Sequence, residues 1–266
     1  MSRHQHSLAV TPCAIVAALH DELRAVLDLM PDEALVRRAG REFWVGHLHG
    51  QPVVAVLSRI GKVAAATTAT LLITEFNCSR ILFTGVAGGL QPGVQVGDVV
   101  VADALLQHDM DASPLFPRWE VPLTGRSRWP ADATWGALVE AAAQRALMAE
   151  GAQAQAALGL AGRAPRLHRG LIVSGDRFVS TQAESDALRS ALPDALAVEM
   201  EGAAVAQVCA DFGVPLAVVR TISDRADDHA ALDFNRFVAE VASRYSARLV
   251  QEVMDALGAG ERAASG

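Results

Sequence analysis

Apolar positions along this chain fall into short, near-continuous runs separated by longer stretches with helical spacing. The runs are Cys13–Ala18, Val53–Leu57, Ile81–Thr84, Val99–Ala102, Leu171–Ser174, Ala195–Glu199 and Leu216–Ile222. A strand covered on both faces reads as such a run, whereas a half-exposed strand alternates. Between the runs, Asp21–Leu29, Val63–Phe76, Ala133–Ala149, Glu184–Ala191, Gly202–Phe212 and Phe234–Leu257 carry the spacing of helices. Strands that alternate with helices predict an α/β fold with crossover helices. Phe43–Leu48 and Val53–Leu57 are divided by His49-Gly50-Gln51-Pro52, which reads as a hairpin, so the sheet is expected to be mixed. The predicted architecture is three-layered, a central mixed β-sheet flanked by helices. Gly151–Arg169, rich in Ala, Gln and Gly, reads as a surface loop with a frayed helix, and Gly258–Gly266 as a flexible tail. No internal repeat or composition break appears, so residues 1–266 are read as one domain with its core at about 13–257.

Composition narrows the class. Of 266 residues, 51% are hydrophobic and 20% charged, which excludes a disordered chain. The net charge of −7, with no basic stripe, argues against a nucleic-acid partner. The 3 cysteines are scattered, so neither a disulfide framework nor a Cys-x-x-Cys metal site is expected, and a reducing compartment is. No apolar run reaches the roughly 18 residues of a membrane span. Met1-Ser2-Arg3 followed by Leu8–Leu19 lacks a small-residue cleavage pattern, so the expectation is a cytoplasmic protein.

Candidate chemistry gathers where strands end. Thr84-Gly85-Val86-Ala87-Gly88-Gly89 follows a strand directly, and glycines there let a ligand approach the backbone. It is also what a tight turn looks like, and it is neither a dinucleotide fingerprint nor a Walker loop. Val198-Glu199-Met200-Glu201-Gly202 places two carboxylates at another strand end, on one side of the chain by alternation. They suit a helix N-terminus, or a carboxylate that accepts the vicinal hydroxyls of a sugar. Val219-Arg220-Thr221-Ile222-Ser223-Asp224 leads into a polar loop, where Asp224 is either a helix cap or a desolvated general acid. Asp21 and Glu22 follow the first strand as an acidic helix start, and form an acid–base set with Asp224 only if the fold joins the two strand ends. His108-Asp109-Met110-Asp111 is read as a loop rather than a metal site, and Ser174 lies outside any nucleophile elbow.

Taken in order, Ala-Ala-Leu-His-Asp-Glu-Leu at 17–23, Ile-Gly-Lys-Val-Ala-Ala at 60–65, Thr-Gly-Val-Ala-Gly-Gly at 84–89, Val-Gly-Asp-Val-Val-Val at 96–101, His-Asp-Met-Asp at 108–111, Gly-Leu-Ile-Val-Ser-Gly-Asp-Arg-Phe at 170–178, Ala-Val-Glu-Met-Glu-Gly-Ala-Ala at 197–204 and Val-Arg-Thr-Ile-Ser-Asp at 219–224 form a set. The set resembles the 5'-methylthioadenosine/S-adenosylhomocysteine nucleosidase family, within the purine-nucleoside phosphorylase-like fold, over about Cys13 to Leu257. The resemblance implies hydrolysis of an N-glycosidic bond, with a small-molecule nucleoside as substrate and no cofactor or metal. By that resemblance Asp224 would act on N7 of the leaving adenine, held by Ser223, with Phe178 stacked on the purine and backbone near Val179 reading its edge. Glu201 would clasp the ribose hydroxyls, with Met200 beneath the sugar. Glu22 would activate the attacking water, with Arg220 in the same polar cluster. Leu19, Ile60 and Phe234 would line the slot for the 5'-alkylthio group, and a homodimer partner would close it with Ala112–Phe116.

The chain departs from that pattern in places. Val86 stands where the family commonly has a small hydroxyl residue, which bears on how the water is held. Arg59 stands where the family usually has glycine; the preferred reading is a surface arginine that points away, while an arginine facing the loop raises a phosphate-dependent phosphorylase as the alternative. Pro114, Pro117 and the Trp119–Trp129 stretch differ from the usual loop, which leaves the 5'-substituent open to a futalosine-type nucleoside. A silent nucleoside-binding domain is the third reading.

Overall fold

The structure, a computed structural model, describes residues 11–158, 163–237 and 241–265. Its centre is a parallel trio in which β1 (Cys13–Ala17) lies between β4 (Gln51–Leu57) and β5 (Arg80–Gly89). β3 (Arg41–Leu48) and β2 (Ala34–Arg38) continue the sheet antiparallel beyond β4. On the other side β10 (Leu216–Asp224) runs parallel to β5, and β6 (Val99–Gln107) antiparallel to β10. β8 (Leu167–Ser174) runs parallel to β6, and β9 (Ala195–Glu199) parallel to β8. β9 then returns to β5 at Gly88 and Gly89, so β5, β10, β6, β8 and β9 close into a ring. A short β7 (Trp129–Pro130) pairs with β6, completing a mixed sheet of 10 strands.

Helices cover both faces. α1 (His20–Leu27) and α3 (Ala133–Leu158) pack on α7 (Ser243–Ser265), and α2 (Lys62–Thr74) packs on α5 (Gly202–Phe212) on the opposite side. Successive residues of one strand feed the two sides: Ile15, Leu82 and Val219 join the α1/α3/α7 cluster, while Ala14, Val16, Ile81, Phe83 and Val218 join the α2/α5 cluster. That division is why these strands read as unbroken apolar runs.

Several elements differ from the expectation. β2 was not anticipated: its residues are exposed except for half-buried Val36, so neither a run nor an alternation marks them. Thr84–Gly89, left open between a ligand-binding strand end and a tight turn, is the continuation of β5. The 151–169 loop is largely regular, because α3 continues to Leu158 on strong helix formers and β8 begins at Leu167. Residues 159–162 of that segment lie outside the described residues. The helix expected over 234–257 is two helices, α6 (Ala230–Phe237) and α7, and α7 runs on through the expected tail to Ser265. Strong helix formers in that stretch of sequence favour the continuation; Gly266 lies outside the described residues.

Candidate active site

The carboxyl ends of several strands surround one cavity of about 440 Å³. Ala18 and Leu19 come from the end of β1, Val86–Gly88 from β5, Val198–Glu201 from β9, and Ser223 and Asp224 from β10. Phe178, Ile60 and Phe234 complete the wall, and the Phe178 and Phe234 rings meet edge to face with centroids 5.9 Å apart. Ligands of open α/β sheets bind at this edge. Val179 lies in a small annex of about 20 Å³ that shares Phe178, Met200 and Asp224 with the main cavity. All the predicted binding residues, Glu201, Met200, Ser223, Phe178, Val179, Val86, Ile60, Leu19 and Phe234, therefore converge.

The glycines of β5 have a use the sequence did not suggest. A Cβ at Gly88 would stand 2.8 Å from Asp224 Oδ1, and one at Gly85 would stand 3.3 Å from Arg220 Nη1. They make room for side chains of β10, and Gly88 also lines the cavity. Asp224 is buried; its Oδ2 accepts the Ser223 hydroxyl at 2.8 Å and its Oδ1 the Ala226 amide at 2.8 Å.

Glu199 and Glu201 divide the two readings proposed for them. Glu199 accepts the amides of Glu201 (3.2 Å) and Gly202 (2.9 Å), the Ser174 hydroxyl, and Arg220 Nη2 at 2.8 Å. It closes the N-terminus of α5, with Ser174 accepting the Ala203 amide at 2.7 Å. Glu201 makes no capping bond; its Oε1 accepts the Gly61 amide at 2.8 Å. Burial, with Glu199 close by, raises its pKa. The Gly61 loop is itself pinned: the Lys62 amide donates to Asp176 (2.7 Å), the Asp176 amide to Asp109 (2.9 Å), and Lys62 Nζ to Asp109 (2.6 Å). Asp109 is thus an ion-pair partner of Lys62, and no group of three or more potential metal ligands occurs among the described residues.

Glu22 and Arg220 stand behind the cavity rather than on its wall. Glu22 occupies the third position of α1, 1% exposed, accepting the Leu19 amide at 3.1 Å and the Ser246 hydroxyl at 2.9 Å. Burial pushes its pKa up to about 7, against the pull of Ser246 and of the Arg220 charge. Arg220 belongs to that polar cluster as expected, but its guanidinium is committed to Glu199 and to the carbonyls of Phe83 and Val219 (both 3.1 Å), over the Phe83 ring. Ser174 and Ser246 are the functional neighbours that sequence reasoning passed over, and Glu199 was marked only as half of a carboxylate pair. Ser246 carried no signal, since it meets Glu22 across most of the chain.

Arg59 faces away from the cavity and donates to the Gly40 carbonyl. No basic side chain is found among the residues lining the main cavity.

An apolar chamber at the strand ends, edged by Glu199, Glu201 and Asp224 with Glu22 behind it, defines a small-molecule acid–base site on an α/β fold. The chain belongs to the Phosphorylase superfamily, whose family model matches residues 12–255. It is 37% identical over 242 residues to the 5'-methylthioadenosine/S-adenosylhomocysteine nucleosidase of Geobacillus thermodenitrificans, covering 91% of this chain and 95% of that one. It is similar to the crystal structure of the Neisseria meningitidis nucleosidase of the same name in complex with methylthio-immucillin-A, with a TM-score of 0.80, 32% identity, and 91% and 98% of the two chains covered. It is equally similar to the futalosine hydrolase of Helicobacter pylori, with a TM-score of 0.80, 33% identity, and 92% and 98% covered.

Proposed function

We propose that the protein hydrolyses the N-glycosidic bond of 5'-methylthioadenosine, S-adenosylhomocysteine and related nucleosides, releasing adenine and a 5-thioribose. The observation that carries this is one apolar chamber edged by Glu201 and Asp224, with Glu22 buried behind it and bonded to the Leu19 amide of its wall. Breaking such a bond leaves an oxocarbenium-like carbon, so the site needs an acid on the leaving base, a base on water, and a grip on the sugar. Asp224, fixed by Ser223 and the Ala226 amide, serves the purine nitrogen beside the Phe178 ring. Glu201, oriented by Gly61, holds the ribose hydroxyls over Met200. Glu22, with a pKa pushed up to about 7, takes the proton of the attacking water. Leu19, Ile60 and Phe234 receive the 5'-group.

Water rather than phosphate is the nucleophile on electrostatic grounds. The main cavity's wall carries carboxylates and no cation among its lining residues, and Arg177, which lines the annex, is paired with Glu184. The α5 N-terminus, the natural anion site, is filled by Glu199, and Arg59 points elsewhere. Adenine release from methylthioadenosine in phosphate-free buffer, with and without added phosphate, tests this. Release without phosphate is the expected result; release only with phosphate overturns it. A futalosine-type substrate is the second reading, favoured by the likeness to the Helicobacter pylori hydrolase. Competition between the two nucleosides for one preparation distinguishes them.

The enzyme acts in the cytoplasm, in methionine salvage, as a homodimer. Leu115 (84% exposed), Val63 (79%) and Ile60 (72%) supply an apolar surface, and Ile60 stands in the cavity wall. A partner's Ala112–Phe116 loop covers that mouth. A monomer with full activity in sedimentation analysis removes this part of the reading. No helix of the described residues is long and apolar enough to cross a membrane.

A further inference from the structure

We infer that Ser246 of α7, aligned by Thr84 of β5, is a positioning residue that holds Glu22 as a carboxylate and so sets the pH at which the enzyme becomes active. The inference rests on the reading of Glu22 as the base.

An ionised Glu22, which can only accept, sets the direction of each bond. Ser246 Oγ donates to Glu22 Oε1 at 2.9 Å and lies 3.1 Å from Thr84 Oγ1. A hydroxyl carries one proton. With that of Ser246 spent on Glu22, Thr84 must donate to Ser246 Oγ. The two hydroxyls then point the same way, and each strengthens the next. All three groups are buried, Thr84 and Ser246 at 2% exposure each. The remaining groups set against Glu22 are Arg220 from β10 and the Leu19 and Ala18 amides of its own turn. Arg220 is tied to Glu199 and cannot swing to compensate. The Ser246 hydroxyl favours the ionised form, opposing the burial that pushes Glu22 up. Lone pairs remain on Glu22 for the nucleophilic water, because the Leu19 amide takes Oε2 and Ser246 takes Oε1.

Ser246→Ala removes the donor without adding volume and suits a helix. The loss of one hydrogen bond to a charged group moves the Glu22 pKa up by about one unit. The direct readout is the carboxyl carbon of Glu22, titrated by NMR in protein labelled at glutamate and assigned with Glu22→Gln. The second readout is the acidic limb of kcat/KM for methylthioadenosine. Both are expected to move up together in Ser246→Ala. Thr84→Val should move them less and in the same sense, and Thr84→Ser, which keeps the hydroxyl, should return them to the parent values. A merely structural role would lower the melting temperature without moving either. If the Glu22 resonance titrates in Ser246→Ala as in the parent protein, the inference is overturned while the base assignment stands. If the resonance shifts and the rate profile does not, Glu22 is not the base, and both fall.

Discussion

Two buried carboxylates, Glu22 and Asp98, sit in different parts of this molecule, and their pKa values are displaced in opposite directions. Asp98, fully buried at the start of β6, accepts both arms of Arg163 (2.8 Å each), the Arg166 amide (2.8 Å), the Gln95 amide (3.1 Å) and His168 Nε2 (2.9 Å). Burial alone would raise its pKa, but these donors hold it below the ordinary value. Glu22 receives one hydroxyl and backbone amides, feels Arg220 only at a distance, and is raised to about 7. Saturating a carboxylate with donors makes it structural; leaving it short of them keeps it basic near neutrality. Glu199, although it borders the cavity, is likewise saturated with donors.

That contrast can be broken at each end. The largest effect belongs to Asp224→Asn: removing the proton donor for the leaving base should lower kcat/KM by about 10³-fold, measured as adenine release. A variant with near-full activity would mean that the acid lies elsewhere. Asp98→Asn should act on the fold rather than the reaction. It strips a bidentate arginine of its partner and should cost about 3 kcal/mol in a urea titration, with turnover per folded molecule preserved. A loss of turnover at unchanged stability would make the Asp98 cluster part of the site.

The third test is pH. Glu22 must be ionised to accept a proton, so kcat/KM should fall about tenfold per unit below pH of about 7. Stability should respond with opposite signs. Asp98, lowered on folding, contributes stability above the ordinary carboxylate range that is lost as pH falls. Glu22, raised on folding, contributes stability below its ordinary value of 4.5 that is lost as pH rises through about 7. The smallest effect is that of Arg59→Ala. Because Arg59 faces Gly40, its removal should leave both the rate and its indifference to phosphate unchanged. A variant that lost activity would return the phosphorylase reading to contention.

Much of this was legible along the chain because it depends on local pattern. A buried strand core needs no partner to be recognised; Leu216–Val219 is apolar because helices cover both faces of β10. The motifs around Glu201 and Asp224 announced themselves as carboxylates placed where apolar runs stop, and they do line the cavity. β2 escaped because an exposed edge strand leaves no hydrophobic signature.

Tertiary structure alone decided which of two neighbouring glutamates would be consumed. Glu199 and Glu201 look alike in sequence, but only folding delivers Arg220 and Ser174 to the first and Gly61 to the second. Folding likewise turned Arg59 away from the cavity, gave the β5 glycines to Arg220 and Asp224, and brought Ser246 to Glu22. The reason is physical: periodicity reports which face a residue buries, and composition reports that a charge is costly there. A carboxylate's pKa depends instead on the donors within hydrogen-bond reach, and those arrive from strands and helices far away in the chain.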